Sequence, residues 1–195
     1  MQAARGTSLR DDDSSLNDRP SVPSRARVRV LLFGVFALLY AVDQGTKWLA
    51  VDRLTGEPQK RVLGELFKLH LTRNAGAAFS TGTGYTELLT LLAAVAAVFV
   101  LWLSRRLGSA WWAVAFGLLL AGICGNLTDR LVRSPGVLRG HVVDFLQLPH
   151  WPIFNVADMC INVAAAMILV QAFRGIRLDG SRAGRGADEP GTPEP

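Results

Sequence analysis

The stretch LGSAWWAVAFGLLLAGICGNLT, residues 107–128, decides the fold: it contains no Asp, Glu, Lys or Arg. A helix of about 20 residues rises roughly 30 Å, the thickness of a bilayer's hydrocarbon core. Three further apolar blocks of similar length accompany it, at 30–51, 85–103 and 151–173. A water-soluble four-helix bundle would alternate apolar and polar faces over such lengths, and 88–103 is again free of charge. The 195 residues are 50% hydrophobic and only 19% charged, with a mean hydropathy of +0.26. The expected class is an all-α polytopic membrane protein with four transmembrane helices.

The net charge of +5 would suit nucleic acid, but the arginines cluster beside the apolar blocks: Arg25, Arg27 and Arg29; Arg105 and Arg106; Arg174 and Arg177. Lipid head groups and membrane topology explain that placement better. Nucleic acid is not expected as a partner; membrane lipid is. Cys124 and Cys160 lie inside apolar blocks and read as small buried hydrophobes. Their number and spacing suit neither a disulfide framework nor a zinc site.

Residues 1–29 are rich in Arg, Asp, Ser and Pro without apolar periodicity, so a disordered tail is expected there. The first block follows Asp11, Asp12 and Asp13 and ends in no Ala-x-Ala pattern. It reads as a retained span rather than a secretory signal. Residues 174–195 read as a second disordered tail, leaving 30–173 as the membrane domain. With four spans both termini share a side, and Arg105 and Arg106 in the tight second connection place that side in the cytoplasm. The long loop after the first span contains Leu66-Phe67-Lys68-Leu69-His70-Leu71-Thr72. Its period of two is the signal of a half-buried strand, so a small extracytoplasmic β element is expected. His141-Val142-Val143-Asp144-Phe145 reads as a second extended stretch.

Ionisable and amide groups at membrane depth are costly unless paired or solvated, so their placement is informative. Asp43 and Lys47 stand four apart on one helical face and can pair. Asn126, Asp129 and Arg130 share a face of the third span, and Asn155, Asp158 and Asn162 a face of the fourth. In an up-down topology all three clusters reach the same membrane boundary, the one carrying both long loops. The bland readings are a helix-locking pair for Asp43–Lys47, a snorkelling end-of-helix pair for Asp129–Arg130, and interhelical hydrogen-bonding glue for the asparagines. Asp158 resists such a reading. It is the one charge in its block, with no charged partner at i±3 or i±4, and needs a partner from elsewhere or a raised pKa.

The nearest such partner is another acid. Asp144 sits on an apolar extended stretch just before the fourth span. Two carboxylates within hydrogen-bonding reach cannot comfortably both ionise. One takes a proton, and the pair can then activate water and protonate a leaving group. The residues alone leave Asp144 and Asp129 both open as the second member. Other hydrolytic designs lack their parts: no His-Glu-x-x-His, no Gly-x-Ser-x-Gly, and no base in helical reach of either cysteine. A proton-relay or transporter reading, with Asp43, Asp129 and Asp158 as a path, would spread polar groups through the membrane depth. The cytoplasmic halves of the spans are nearly all apolar instead. A structural scaffold would leave the single level of the polar groups unexplained.

Asp43-Gln44-x-x-Lys47, Asn74-Ala75-Gly76-Ala77-Ala78-Phe79, Gly125-Asn126-Leu127-Thr128-Asp129-Arg130, Val142-Val143-Asp144-Phe145 and Phe154-Asn155-Val156-Ala157-Asp158 follow one another in that order. Together, over about residues 30–173, they resemble the lipoprotein signal peptidases, the type II signal peptidases of bacteria. The resemblance implies that Asp144 and Asp158 are the catalytic pair, with Asp43, Lys47 and Asp129 structural and Asp129 paired to Arg130 or ordering the end of its span. It implies that Asn74, Gly76, Asn126, Arg130 and Asn155 line the site and hold substrate backbone or lipid. The implied activity is an aspartic endopeptidase that removes the signal peptide of diacylglyceryl-modified prolipoproteins, cutting before the lipidated Cys. No metal or organic cofactor is implied. The expected setting is the bacterial cytoplasmic membrane, as a monomer with its active site on the extracytoplasmic side.

Overall fold

The computed structural model describes residues 25–76 and 85–182. Most of the expected N-terminal tail, the end of the C-terminal one and residues 77–79 of the Asn74 motif lie outside them. The elements run α1 (Arg25–Leu54), β1 (Lys60–Leu63), β2 (Phe67–Asn74), α2 (Thr86–Ser104), α3 (Ala110–Val132), β3 (Val142–Gln147) and α4 (Val156–Phe173). Among the described residues three helices, α2, α3 and α4, are long and apolar enough to cross a membrane. The longer α1 carries Asp43 and Lys47 within its apolar stretch and is not among those three.

Helix boundaries differ from the apolar blocks for local reasons. The described part of α1 reaches back to Arg25, inside the expected tail, and Val28 there is buried in one cluster with Leu107 and Trp112. α3 begins after Gly108 and Ser109 and runs past Asp129 to Val132, close to the Ser134-Pro135 stop. Residues 151–155 stay outside α4. Pro152 supplies no backbone donor, Phe154 pairs with Leu146, and Asn155 caps the helix. Within the expected C-terminal tail, residues 174–182 form a hook in which Arg177 N donates to Ser181 O at 2.8 Å. Leu178 packs on the core and its carbonyl accepts from Gly108 N at 3.0 Å.

α3 is the central helix, touching α1, α2 and α4. Its glycines permit the close approach. A Cβ at Gly122 would stand 2.5 Å from the Ala157 carbonyl of α4, and one at Gly125 would collide with the Asp43 carboxylate of α1. Small residues at such crossings are the usual device for packing helices in lipid. At one end, Val28, Leu32, Trp112, Phe116 and Leu120 form an apolar core. At the other, the C-terminal ends of α1 and α3 and the start of α4 meet the sheet. That sheet is antiparallel in the order β1-β2-β3, with Thr72 opposite Asp144. The period-two segment is thus β2, and the Val-Val-Asp-Phe stretch is β3, its neighbour.

Candidate active site

Asp144 and Asp158 line one cavity of about 340 Å³, together with Asn74, Gly76, Asn126, Arg130, Trp151, Phe154 and Asn162. β3 supplies Asp144, buried to 3% exposure. The first turn of α4 supplies Asp158. Asn155 joins them. Its side-chain oxygen accepts from Asp158 N at 3.0 Å, its backbone N–H donates to Asp158 Oδ2 at 3.1 Å, and its amide nitrogen stands 2.6 Å from Asp144 Oδ1. The first two bonds form a capping box, which satisfies orphan donors at a helix start. Here the same residue fixes both aspartates.

The other oxygens are also held. Asn74 Nδ2 donates to Asp144 Oδ2 at 3.1 Å, and Asn126 Nδ2 to Asp158 Oδ1 at 2.8 Å. Asn74 Oδ1 accepts from Gly76 N at 3.0 Å, and Arg130 Nη2 donates to Gly76 O at 3.2 Å. Among the described residues, Arg130 Nε is buried without a hydrogen-bond partner beside the cavity. Burial, and after it the neighbouring Asp158 carboxylate, pushes Asp144 up to about 7, against the pull of Asn74 and Asn155. A pair holding one proton near neutrality can deprotonate water with one member and polarise a carbonyl with the other.

Behind this pair lies a second polar layer. Lys47 Nζ reaches Asp43 Oδ2 at 3.0 Å, Asp129 Oδ2 at 2.8 Å and Asn126 Oδ1 at 2.9 Å. Asp43 Oδ1 accepts from Ala157 N at 2.9 Å and Asp129 Oδ2 from Val143 N at 3.2 Å.

A family model described as Signal peptidase (SPase) II matches residues 35–174. The chain belongs to the signal peptidase II family. A lipoprotein signal peptidase of Rhodococcus jostii (strain RHA1) is 44% identical over 177 residues, covering 90% of this chain and 88% of that protein. One from Mycobacterium avium (strain 104) is 47% identical over 162 residues, covering 83% and 86%. A solved bacterial membrane enzyme aligns with a TM-score of 0.65 at 23% identity, over 73% of this chain and 92% of that one, a likeness of fold. Signal peptidase II enzymes are aspartic peptidases of the bacterial membrane, and the activity expected from the motifs is the activity of this family.

Against that family frame, most expected site residues converge. Asn74, Gly76, Asn126, Arg130, Asp144 and Asp158 share the cavity. Asn155 does not line it. It is fully buried and bonded to both aspartates. Of the two expectations for Asp129, pairing with Arg130 or ordering the end of its span, the structure gives it Lys47 and Arg133 as ion-pair partners, while Arg130 lines the cavity. Adjacent residues on a helix point about 100° apart, so one faces α1 and the other the site. Trp151, Ile153 and Ile161 were not singled out in the sequence, because apolar lining looks like any other apolar residue of a span.

Proposed function

We propose that the Asp144/Asp158 pair is the catalytic dyad of a prolipoprotein signal peptidase, working on the extracytoplasmic face of a four-span bundle. The observation that carries this reading is the single residue Asn155, whose side chain and backbone bind both carboxylates in one cavity. α1 is the remaining span. The dyad lies at the end of the bundle that carries the sheet, and Arg105 and Arg106 mark the opposite, cytoplasmic end.

Asp144, the member pushed up to about 7, holds the proton and donates to the oxygen of the scissile carbonyl. Asp158 takes a proton from water as its oxygen attacks the carbonyl carbon. The tetrahedral intermediate then collapses: the C–N bond breaks, the proton on Asp158 passes to the leaving amine of the lipidated Cys, and the proton given to the carbonyl oxygen returns to Asp144. The signal peptide departs with a new carboxylate. Arg130 and Asn126 border the cavity and hold the substrate backbone; the exposed faces of the helices leave the acyl chains in lipid. The enzyme acts as a monomer and needs no cofactor.

Purified protein should cleave a diacylglyceryl-modified precursor in EDTA and be blocked by aspartyl-directed inhibitors. Cleavage abolished by EDTA, or equal cleavage of a precursor never lipidated, would reject this reading.

A further inference from the structure

Lys47 is 0% exposed, and the three hydrogens of its ammonium have three acceptors, Asp43, Asp129 and Asn126. Each acceptor leads onward to the dyad. Asp43 receives the N–H of Ala157, the residue before Asp158. Asp129 receives the N–H of Val143, the residue before Asp144. Asn126, its oxygen turned to the ammonium, directs its Nδ2 at Asp158 Oδ1.

We infer that Lys47 is a positioning residue, the common anchor from which three arms set the two aspartates' separation and orientation. This deepens the proposed function and rests on Asp144 and Asp158 being the dyad. A pair serving only to lock α1 would need one partner, whereas Lys47 ties α1 to α3, and through it to both strand and helix that carry the acids. Stability alone is a poor reason for the arrangement. Buried ion pairs are often matched or bettered by apolar residues of similar volume. Holding reacting groups to within an ångström repays that expense.

The anchor also acts through charge. Asp144 is faced by Lys47 from α1, which is itself paired with Asp43 and Asp129, by Arg130 from α3 and by Asp158 from α4, while the uncharged Asn74 and Asn155 donate to it. Lys47 favours the ionised form of Asp144. Without it, Asp144 keeps its proton to higher pH.

The test compares Lys47→Met with the double variant Asp43→Asn/Lys47→Gln, which removes both charges of the Asp43–Lys47 pair and leaves Asp129 its ion pair with Arg133. Both are purified full-length and assayed on a diacylglyceryl-modified precursor, with thermal unfolding measured alongside. The expected result is a kcat loss of about 100-fold in the folded double variant, the scale of a one-ångström misplacement. KM should stay within about threefold, as for an interaction made only in the transition state. Where Lys47→Met folds, its alkaline limb should move to higher pH. A folded double variant with wild-type kcat, or a Lys47→Met enzyme with an unmoved limb, would overturn the inference. Asp144→Asn run in parallel separates the failures, because turnover in that variant rejects the dyad itself and leaves the Lys47 result to be read alone.

Discussion

Asn155 Nδ2 stands 2.6 Å from Asp144 Oδ1, and the same residue closes a capping box on Asp158. One side chain therefore starts α4 and fixes the spacing of two carboxylates from different elements. Asn155→Ala removes the cap acceptor, which costs about 1 kcal/mol. It also frees both aspartates, for an activity loss of about 100-fold. Thermal unfolding and precursor cleavage read the two effects separately; full turnover in the variant would show that the dyad does not depend on this residue.

The pH profile follows from Asp144. Its carboxyl is raised from 3.8 to about 7, so the fold favours the protonated form. The stability contributed by that proton is fully present below pH 3.8 and is lost as pH rises through about 7. Cleavage should fall as pH rises through about 7, as the acid that polarises the carbonyl is titrated. Asp158→Asn removes one of the upward pushes, so the stability loss should be smaller and complete at lower pH. Unfolding midpoints measured from pH 4 to about 9 test this.

Asn74 donates to Asp144 Oδ2 at 3.1 Å and so favours its ionised form. Asn74→Ala should move the alkaline limb of kcat/KM to higher pH while weakening the turn that holds Gly76 N. A limb that moves the other way would remove Asn74 from the dyad's surroundings.

Gly125 faces the Asp43 carboxylate with no room for a methyl group. Gly125→Ala should push Asp43 off both Lys47 and Ala157 N, costing roughly 1–3 kcal/mol through overpacking and lowering kcat. The same substitution at Gly34, where a Cβ would meet nothing within 4 Å, should leave cleavage unchanged. Chemical unfolding of both variants gives the comparison.

Much of the site was legible because lipid makes polarity conspicuous. Asp158 stood out as a lone acid in an apolar block, and β2 announced itself by alternation. What periodicity could not supply was the partner across space. Asp43–Lys47 reads as a finished pair at i,i+4, yet the ammonium also belongs to Asp129 and Asn126, on a helix about eighty residues further along the chain. The resemblance made Asn155 a substrate ligand and its residue type made it interhelical glue; its place as a cap depends on where α4 starts, five residues inside the apolar block. The hook at 174–182 was hidden for a similar reason. Its composition is polar, and the packing of Leu178 on the core is set by a contact across space.

The most direct measurement is cleavage of a lipidated precursor by purified Asp144→Asn and Asp158→Asn proteins, each shown to be folded. Each substitution keeps shape and removes a proton site, so the account predicts that neither processes the precursor. Wild-type turnover by either protein would contradict it.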